Sequence, residues 1–598
     1  MNISQYKSKI LELSIYDHVH IIKLAQSLNK SRESICKQKV KIAVIGSYSL
    51  QYFVMVLKLL LLKYNVYADI YEGEYNGIDM DVFDKESQLY KFEPEIVIIL
   101  PDYRDIRNMP ELFSEKETID AFVHSQINYY QKVWNQISSI LHCYIFQTNM
   151  VLPIERELGN LEANAYYSKS NIYHLLNIAL IENKFSNVTI IDLEYIASVE
   201  GKSRWFDYAK YFTSKLGYSL KYIGVVCDVF AQQVSNLYGY VKKCLILDLD
   251  NTLWGGVVAE QGGHGIIIDP NDAIGEAYQF FQQYVLNLKK RGIILAVISK
   301  NDHEVAKEPF IMNKNMILKY DDFSCFIANW EDKASNIDAV AKKLNISTDS
   351  FVFFDDNPAE REIVKMYHPE VLVIDVPENV AEYVIALEKA HPFEWLNLTE
   401  EDIARGNSYK SNVERRELRI QYDDYQEYLA VLCMKGKVDY LKTENIERFT
   451  QLINKSNQFN TRTKRYSSEN IMEMLSNNGY CLLTVTLEDC FSKFGIISCV
   501  ILKKTGQECF IDTWVMSCRV LKRDVEYLTF NKILEIAIQW GCESIVGEYI
   551  ATPKNSLVKE LFPQLGFHIL ENGDGEGTKY VYNVNAGLIR DTVIKEIE

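Results

Sequence analysis

The sequence predicts an α/β chain of three domains, and three observations carry that expectation. Short apolar runs alternate with longer helical stretches between residues 41 and 192, the spacing of βαβ units on a parallel sheet. The same rhythm returns between 244 and 374. From 480 onward, strand-like runs instead follow one another closely, and helices come after them, which is an α+β pattern. A length of 598 residues has room for roughly three to five domains.

In chain order, residues 1–35 read as a helical leader. The first domain, 36–236, has strand candidates at 41–45, 95–100, 144–147 and 189–192. Its window 52–62 is the most apolar of the chain, but it is interrupted by Lys58 and too short to span a bilayer, so it is expected to be a buried helix. The second domain, 237–398, has strand candidates at 244–247, 293–298, 351–354 and 371–374. A helix at 274–290 lies between the first two and is ended by Arg291 and Gly292. The polar stretch 397–410 reads as a linker. The third domain, 399–598, has strands at 480–486, 495–502 and 508–515, then a helix at 525–540, a strand at 544–548, a helix at 556–565 and a strand at 579–582.

The formal charge of −17 weighs against nucleic acid and anionic membranes as partners. Twelve cysteines without a CxxC pair suit free thiols in a reducing compartment. With no signal-peptide core in the first thirty residues, the expected location is cytoplasmic.

The most informative segment follows the apolar run 244–247. Asp248 and Asp250 stand two apart at the end of a buried strand, and Thr252 follows them. Side chains two apart on an extended backbone point the same way, and two carboxylates so placed repel unless a hard cation lies between them. Asp355 and Asp356 end another apolar run, 351–354. In an open α/β sheet the carboxyl ends of the strands form one ligand-binding edge, so the four acids gather there and read as a magnesium site. Ser299 follows a third run, next to Lys300, and Lys333 opens the helix after Asp332. A hydroxyl and an ammonium at that edge suit phosphate oxygens.

In this order and placement the motifs resemble the haloacid dehalogenase superfamily. The resemblance implies that Asp248 is the nucleophile, Asp250 the acid and base, and Thr252 a positioning residue, with Ser299 and Lys333 holding the phosphoryl group. It implies Mg2+ held by Asp248, the Asp250 backbone carbonyl, Asp355 and Asp356. Longer stretches resemble the FkbH-like proteins: Trp254 to Gly256, Ser299 to Asp302, Asn329 to Lys333, Asn454 to Asn460, Ser517 to Leu521 and Thr552 to Asn555. That family implies an SGNH-like first domain, a Rossmann-like phosphatase domain and a GNAT-like third domain. It also implies an activity: capture of a glyceryl unit from 1,3-bisphosphoglycerate, loss of its phosphate, and loading onto an acyl carrier protein in its phosphopantetheine form for polyketide or surface-polysaccharide biosynthesis. The alternative is a stand-alone phosphatase for a small phosphorylated metabolite or sugar; a third reading is an idle scaffold.

Several positions depart from the family pattern. Ser47 follows a strand, as an SGNH nucleophile would, but Asp207 is followed three residues later by Lys210 where a histidine is wanted. Lys522 and Asp524 replace glycines of the GNAT pyrophosphate turn. Ile298 stands where relatives carry a cysteine, leaving Cys518, beside Arg519, as the candidate thioester carrier. The run Arg462, Thr463, Lys464 and Arg465 is a candidate docking patch for an acidic carrier. No large cap insert follows Gly256 or Ser299, so the site is expected to be open.

Overall fold

The computed structural model describes residues 2–30, 39–398, 400–403, 415, 418–419, 421–456, 458–552, 555–573, 577–587 and 590–597; the side chains of 400, 401, 518, 572 and 573 lie outside the described set. The chain forms two compact units, Met1–Ser235 with Ser467–Asn470, and Asn236–Tyr466 with Ile471–Glu598.

In the first unit, strands β1 (Val40–Gly46), β2 (Ala68–Tyr75), β3 (Ile96–Leu100), β4 (Tyr144–Thr148) and β5 (Val188–Ile191) form a parallel sheet in the order β2-β1-β3-β4-β5. The helix Gln51–Lys63 buries seven apolar side chains, as its composition requires. The sequence reading lacked β2. It is an edge strand broken by the exposed acids Asp69, Glu72 and Glu74, so it carries no continuous apolar run. The helices Ile3–Glu12 and His18–Lys30 make up the leader, and residues 31–38 lie outside the described set.

The second unit holds two sheets. Strands β6 (Cys244–Leu247), β7 (Ile294–Ser299), β8 (Cys325–Ala328), β9 (Phe351–Phe354) and β10 (Leu372–Val373) are all parallel, in the order β10-β9-β6-β7-β8. Alternate residues face opposite cores. Leu245, Leu247, Leu295, Val297, Val352 and Phe354 pack with the helix Ala273–Lys290, while Cys244, Ile246, Ile294, Ala296, Phe351 and Phe353 pack with the helix Lys333–Leu344. Covering both faces leaves one place for polar chemistry, the carboxyl edge.

The last sheet is mixed. Its strands are β11 (Lys435–Tyr440), β12 (Phe459–Asn460), β13 (Tyr480–Glu488), β14 (Lys493–Thr505), β15 (Glu508–Met516), β16 (Ser544–Tyr549), β17 (His568–Gly573), β18 (Gly577–Asn583) and β19 (Lys595–Glu596). β15 runs parallel to β16 only from Glu508 to Ile511, and β12 pairs with its far end. Where the two strands part, Thr461 links them, donating its N–H to the Trp514 carbonyl and accepting from the Ile550 N–H.

Two expectations are corrected. The stretch expected as a linker contains the helix Glu400–Ile403, and Asp402 within it is buried, accepting from Gln451 Nε2 at 2.8 Å and Lys455 Nζ at 3.3 Å. Residues 404–410 lie outside the described set. Gly292, with φ 101°, backs onto the same helix: a β-carbon there would meet the Asp402 carbonyl oxygen at 1.9 Å. The basic run at 462–465 is also spent internally. Arg462 pairs with Asp512 and Glu548, Lys464 with Asp512, and Arg465 donates to the Ile453 carbonyl. Burial pushes the Arg465 guanidinium down to about 10.

Candidate active site

The carboxyl edge of the middle sheet brings together side chains from four strand ends. Asp248 follows β6 and is anchored by its own N–H, which donates to the Phe354 carbonyl of β9 at 3.1 Å. The chain then turns sharply, with Asn251 at φ 52° and Leu253 N–H donating to the Leu249 carbonyl. The Asn251 side chain accepts from the Gly256 N–H at 2.9 Å, and its carbonyl accepts from the Tyr383 hydroxyl at 2.9 Å. This turn returns Asp250 toward the edge. Asp250 Oδ1 accepts from Trp254 Nε1 and the Val258 N–H, both at 3.0 Å, and Oδ2 accepts from Asn301 Nδ2 at 2.9 Å.

Asp355 and Asp356 follow β9. Asp355 is fully buried and accepts the Asn357 N–H at 2.9 Å. Thr252, also fully buried, accepts the Asp356 N–H at 3.3 Å. Arg361 donates one nitrogen to the carbonyls of both Asp355 and Asp356 at 2.8 Å. The loop carrying the two acids is therefore held from both sides. Lys333 is 2% exposed; its Nζ lies 3.1 Å from Asp248 Oδ1 and bonds Asp355 Oδ2. Ser299, at the end of β7, is buried and accepts from Asn301 Nδ2 at 3.1 Å.

One carboxylate oxygen each from Asp248, Asp355 and Asp356 lies within 4.8 Å of the others, which makes this the one group of potential metal ligands among the described residues. Asp250 adds no side-chain oxygen to it. Three carboxylates face one ammonium, and the electrostatics follow. Burial pushes Asp355 up, and the neighbouring Asp248 charge adds to that rise. Burial and then Asp248 push Asp356 up to about 6. Burial alone would lower the Lys333 ammonium, but Asp248 and Asp355 overcome it and hold the proton more tightly than usual. An all-oxygen set with surplus negative charge suits a hard divalent cation such as Mg2+.

Two residues of this edge escaped sequence reasoning. Asn301 stood within the family-like stretch Ser299 to Asp302 but with no role of its own, and Arg361 was visible only as a charge on a helix. Lys300 turns to Glu360 Oε1 at 2.5 Å. Among the other candidates, Ser47 is buried after β1, and Asp207 serves as a helix cap, accepting the Lys210 N–H at 3.0 Å. Lys522 and Asp524 both adopt the left-handed conformation, with φ 61° and 60°, so the turn keeps a glycine-like path without glycine. The side chain of Cys518 lies outside the described set. Between Gly256 and the helix Ala273–Lys290 there is only the short helix Val258–Gly265, so no large cap is inserted there.

The family model described as FkbH, N-terminal domain matches residues 41–234. Among solved structures, the chain is similar to the N-terminal part of the protein BF1531 from Bacteroides fragilis, which contains a phosphatase domain and was crystallised in complex with Mg. The identity is 30%, over 64% of this chain and 99% of that one, with a TM-score of 0.58. The ribosomal-protein-S18-alanine N-acetyltransferase from Escherichia coli aligns at 11% identity over 24% of this chain and 90% of its own, with a TM-score of 0.20, too distant to bear on chemistry. No curated protein matches the chain.

Proposed function

The chain belongs to the FkbH-like proteins of the haloacid dehalogenase superfamily, and from that premise we propose that it is a Mg2+-dependent phosphatase that also transfers a glyceryl unit. The observation that carries the reading is the cluster of Asp248, Asp355 and Asp356 around the buried Lys333. Those three carboxylates would hold Mg2+, with the Asp250 backbone carbonyl as a further ligand. When bound, the ion offsets the repulsion between an aspartate nucleophile and a phosphate dianion.

The residues then divide the work. Asp248 attacks phosphorus, and the bond from phosphorus to the leaving oxygen breaks. The Asp250 carboxyl gives its proton to that oxygen. Asp250, now a carboxylate, takes a proton from water as the water oxygen attacks phosphorus and frees Asp248. Lys333 and the Ser299 hydroxyl hold the phosphoryl oxygens, and Thr252 fixes the backbone of Asp356.

The substrate proposed is 1,3-bisphosphoglycerate, and the acceptor is the phosphopantetheine thiol of an acyl carrier protein. The thiol sulfur attacks the acyl carbon, the carbon–oxygen bond to the 1-phosphate breaks, inorganic phosphate leaves with the thiol proton, and the Asp248 edge hydrolyses the remaining phosphate ester. A site without a large inserted cap suits a substrate tethered to another protein. The limits 36–236, 237–398 and 399–598, after a leader at 1–35, belong to the same proposal.

The stand-alone phosphatase has an observation in its favour. Ile298 is packed in the core, so no thiol precedes Ser299, and the run at 462–465 is engaged internally. Incubation with 1,3-bisphosphoglycerate, Mg2+ and a carrier protein in its phosphopantetheine form decides between the two. The expected result is a glyceryl adduct on the carrier by intact-mass spectrometry. Phosphate release at the same rate without carrier, and no adduct, would replace transfer with simple hydrolysis.

A further inference from the structure

Asp250 has two carboxylate oxygens and three donors, of which Trp254 Nε1 and the Val258 N–H share Oδ1. Asn301 Nδ2 alone serves Oδ2, at 2.9 Å, and the same nitrogen lies 3.1 Å from Ser299 Oγ. The Asn301 carboxamide thus faces both Asp250 and Ser299 with its NH2 group. That group has two hydrogens: one goes to Asp250 and the other to Ser299. Ser299 Oγ is thereby an acceptor toward Asn301, and its own hydrogen is left to point elsewhere, toward any phosphoryl oxygen at the edge. Asn301 and Ser299 are each 2% exposed, and Asp302 next to Asn301 caps the helix His303–Met312. The segment between strand and helix therefore has little slack.

We infer that Asn301 is a positioning residue that ties the acid–base carboxylate of Asp250 to the phosphoryl-binding hydroxyl of Ser299. One carboxamide sets both the line of proton delivery to the leaving oxygen and the direction of the Ser299 hydrogen. The inference rests on the phosphatase reading and deepens it. Asn301 itself is placed against neither the phosphorus nor the leaving group.

Leaving-group chemistry tests it. A 4-nitrophenolate departs without a proton, whereas an alkoxide needs one as its bond to phosphorus breaks. Misorienting Asp250 must therefore slow an alkyl phosphate more than an aryl phosphate, while general damage to the fold slows both by one factor. Asn301→Ala and Asn301→Ser are compared with wild type on glycerol phosphate and 4-nitrophenyl phosphate with Mg2+, with thermal melts to establish folding. For Asn301→Ala the expected kcat loss is about 100-fold on the alkyl ester and about 10-fold on the aryl ester, the general acid's share of the rate. Asn301→Ser keeps a short donor and should recover part of the alkyl-ester loss; if the alanine variant does not fold, the ratio is read from the serine variant. Equal losses on both esters in every folded variant, or wild-type rates, overturn the role of Asn301. The phosphatase reading then still stands if wild type turns over both esters and Asp248→Asn does not. A wild-type protein inert on both esters overturns the two together.

Discussion

The chain contains two five-stranded parallel sheets that end in very different chemistry. In the N-terminal sheet Asp102 and Asp192 are each matched by their own surroundings. Asp102 pairs with Arg104 at 2.6 Å, and Asp192 accepts from Asn149 Nδ2 at 2.7 Å and caps a helix. Burial pushes Asp105 up, and Ser47 and the nearby Arg104 and Arg107 offset that rise only in part. In the middle sheet Asp248 and Asp355 share Lys333, and Asp356 adds a third carboxylate beside them without an ion pair among the described residues. Both sheets bury both faces and expose the same carboxyl edge, so architecture does not distinguish them. What differs is charge left unmatched after folding, and unmatched negative charge is what calls for a cation.

The comparison is broken most directly by exchanging nucleophile candidates. Asp248→Asn should lower magnesium-dependent hydrolysis of an aryl phosphate by at least about 1000-fold, whereas Ser47→Ala should leave the rate unchanged. A loss in the second variant and none in the first would move the chemistry to the N-terminal sheet.

A second contrast uses two lysines paired with buried carboxylates, half-buried Lys63 and buried Lys333. Lys63 pairs with Asp228 at 3.0 Å, and Asp228 also accepts from the Tyr64 hydroxyl. Removing either ammonium leaves a buried carboxylate uncompensated, at about 3–5 kcal/mol. Lys63→Met and Lys333→Met should both lower metal-free stability in denaturant melts. Only Lys333→Met should also lower kcat, by roughly 100-fold. Equal catalytic effects would make Lys333 a structural residue.

The smallest expected effect is on pH dependence. Both sheets hold a carboxyl that burial pushes up to about 6, Asp102 in one and Asp356 in the other. A carboxyl raised in the folded state binds its proton more tightly there than in the unfolded chain. Its stabilising contribution is present below about pH 4 and fades as pH rises through about 6. Metal-free melting temperature should therefore fall across that window. Added Mg2+ should restore stability increasingly toward neutral pH, and Asp356→Asn should abolish the magnesium-dependent part while leaving the Asp102 part. A magnesium shift of the same size at every pH would detach Asp356 from the metal.

Much of this was legible in the sequence because strands buried on both faces must be continuously apolar, and because their ends share one edge. Asp248, Ser299 and Asp355 could be placed from that alone. The edge strands β2 and β8 were not legible: Asp69, Glu72 and Glu74 break up the first, and the run 325–328 of the second carried no charged pair directly at its end to draw attention to it. Asn301 lay in the family-like stretch Ser299 to Asp302, but its role was not legible, because a carboxamide two places past a strand end shows no partners until they are fixed in space. The run at 462–465 misled for a related reason: sequence shows a charge but not the Asp512 and Glu548 that fold against it.

Gly292 is a position with no functional group, yet its freedom to vary is as narrow as that of a nucleophile. A single methyl group there would press on the Asp402 carbonyl. Gly292 stands just before β7, the strand whose other end carries Ser299. A wedge at the foot of that strand would push on the hydroxyl at its head, so substitutions that silence phosphoryl chemistry need not fall among the residues that perform it.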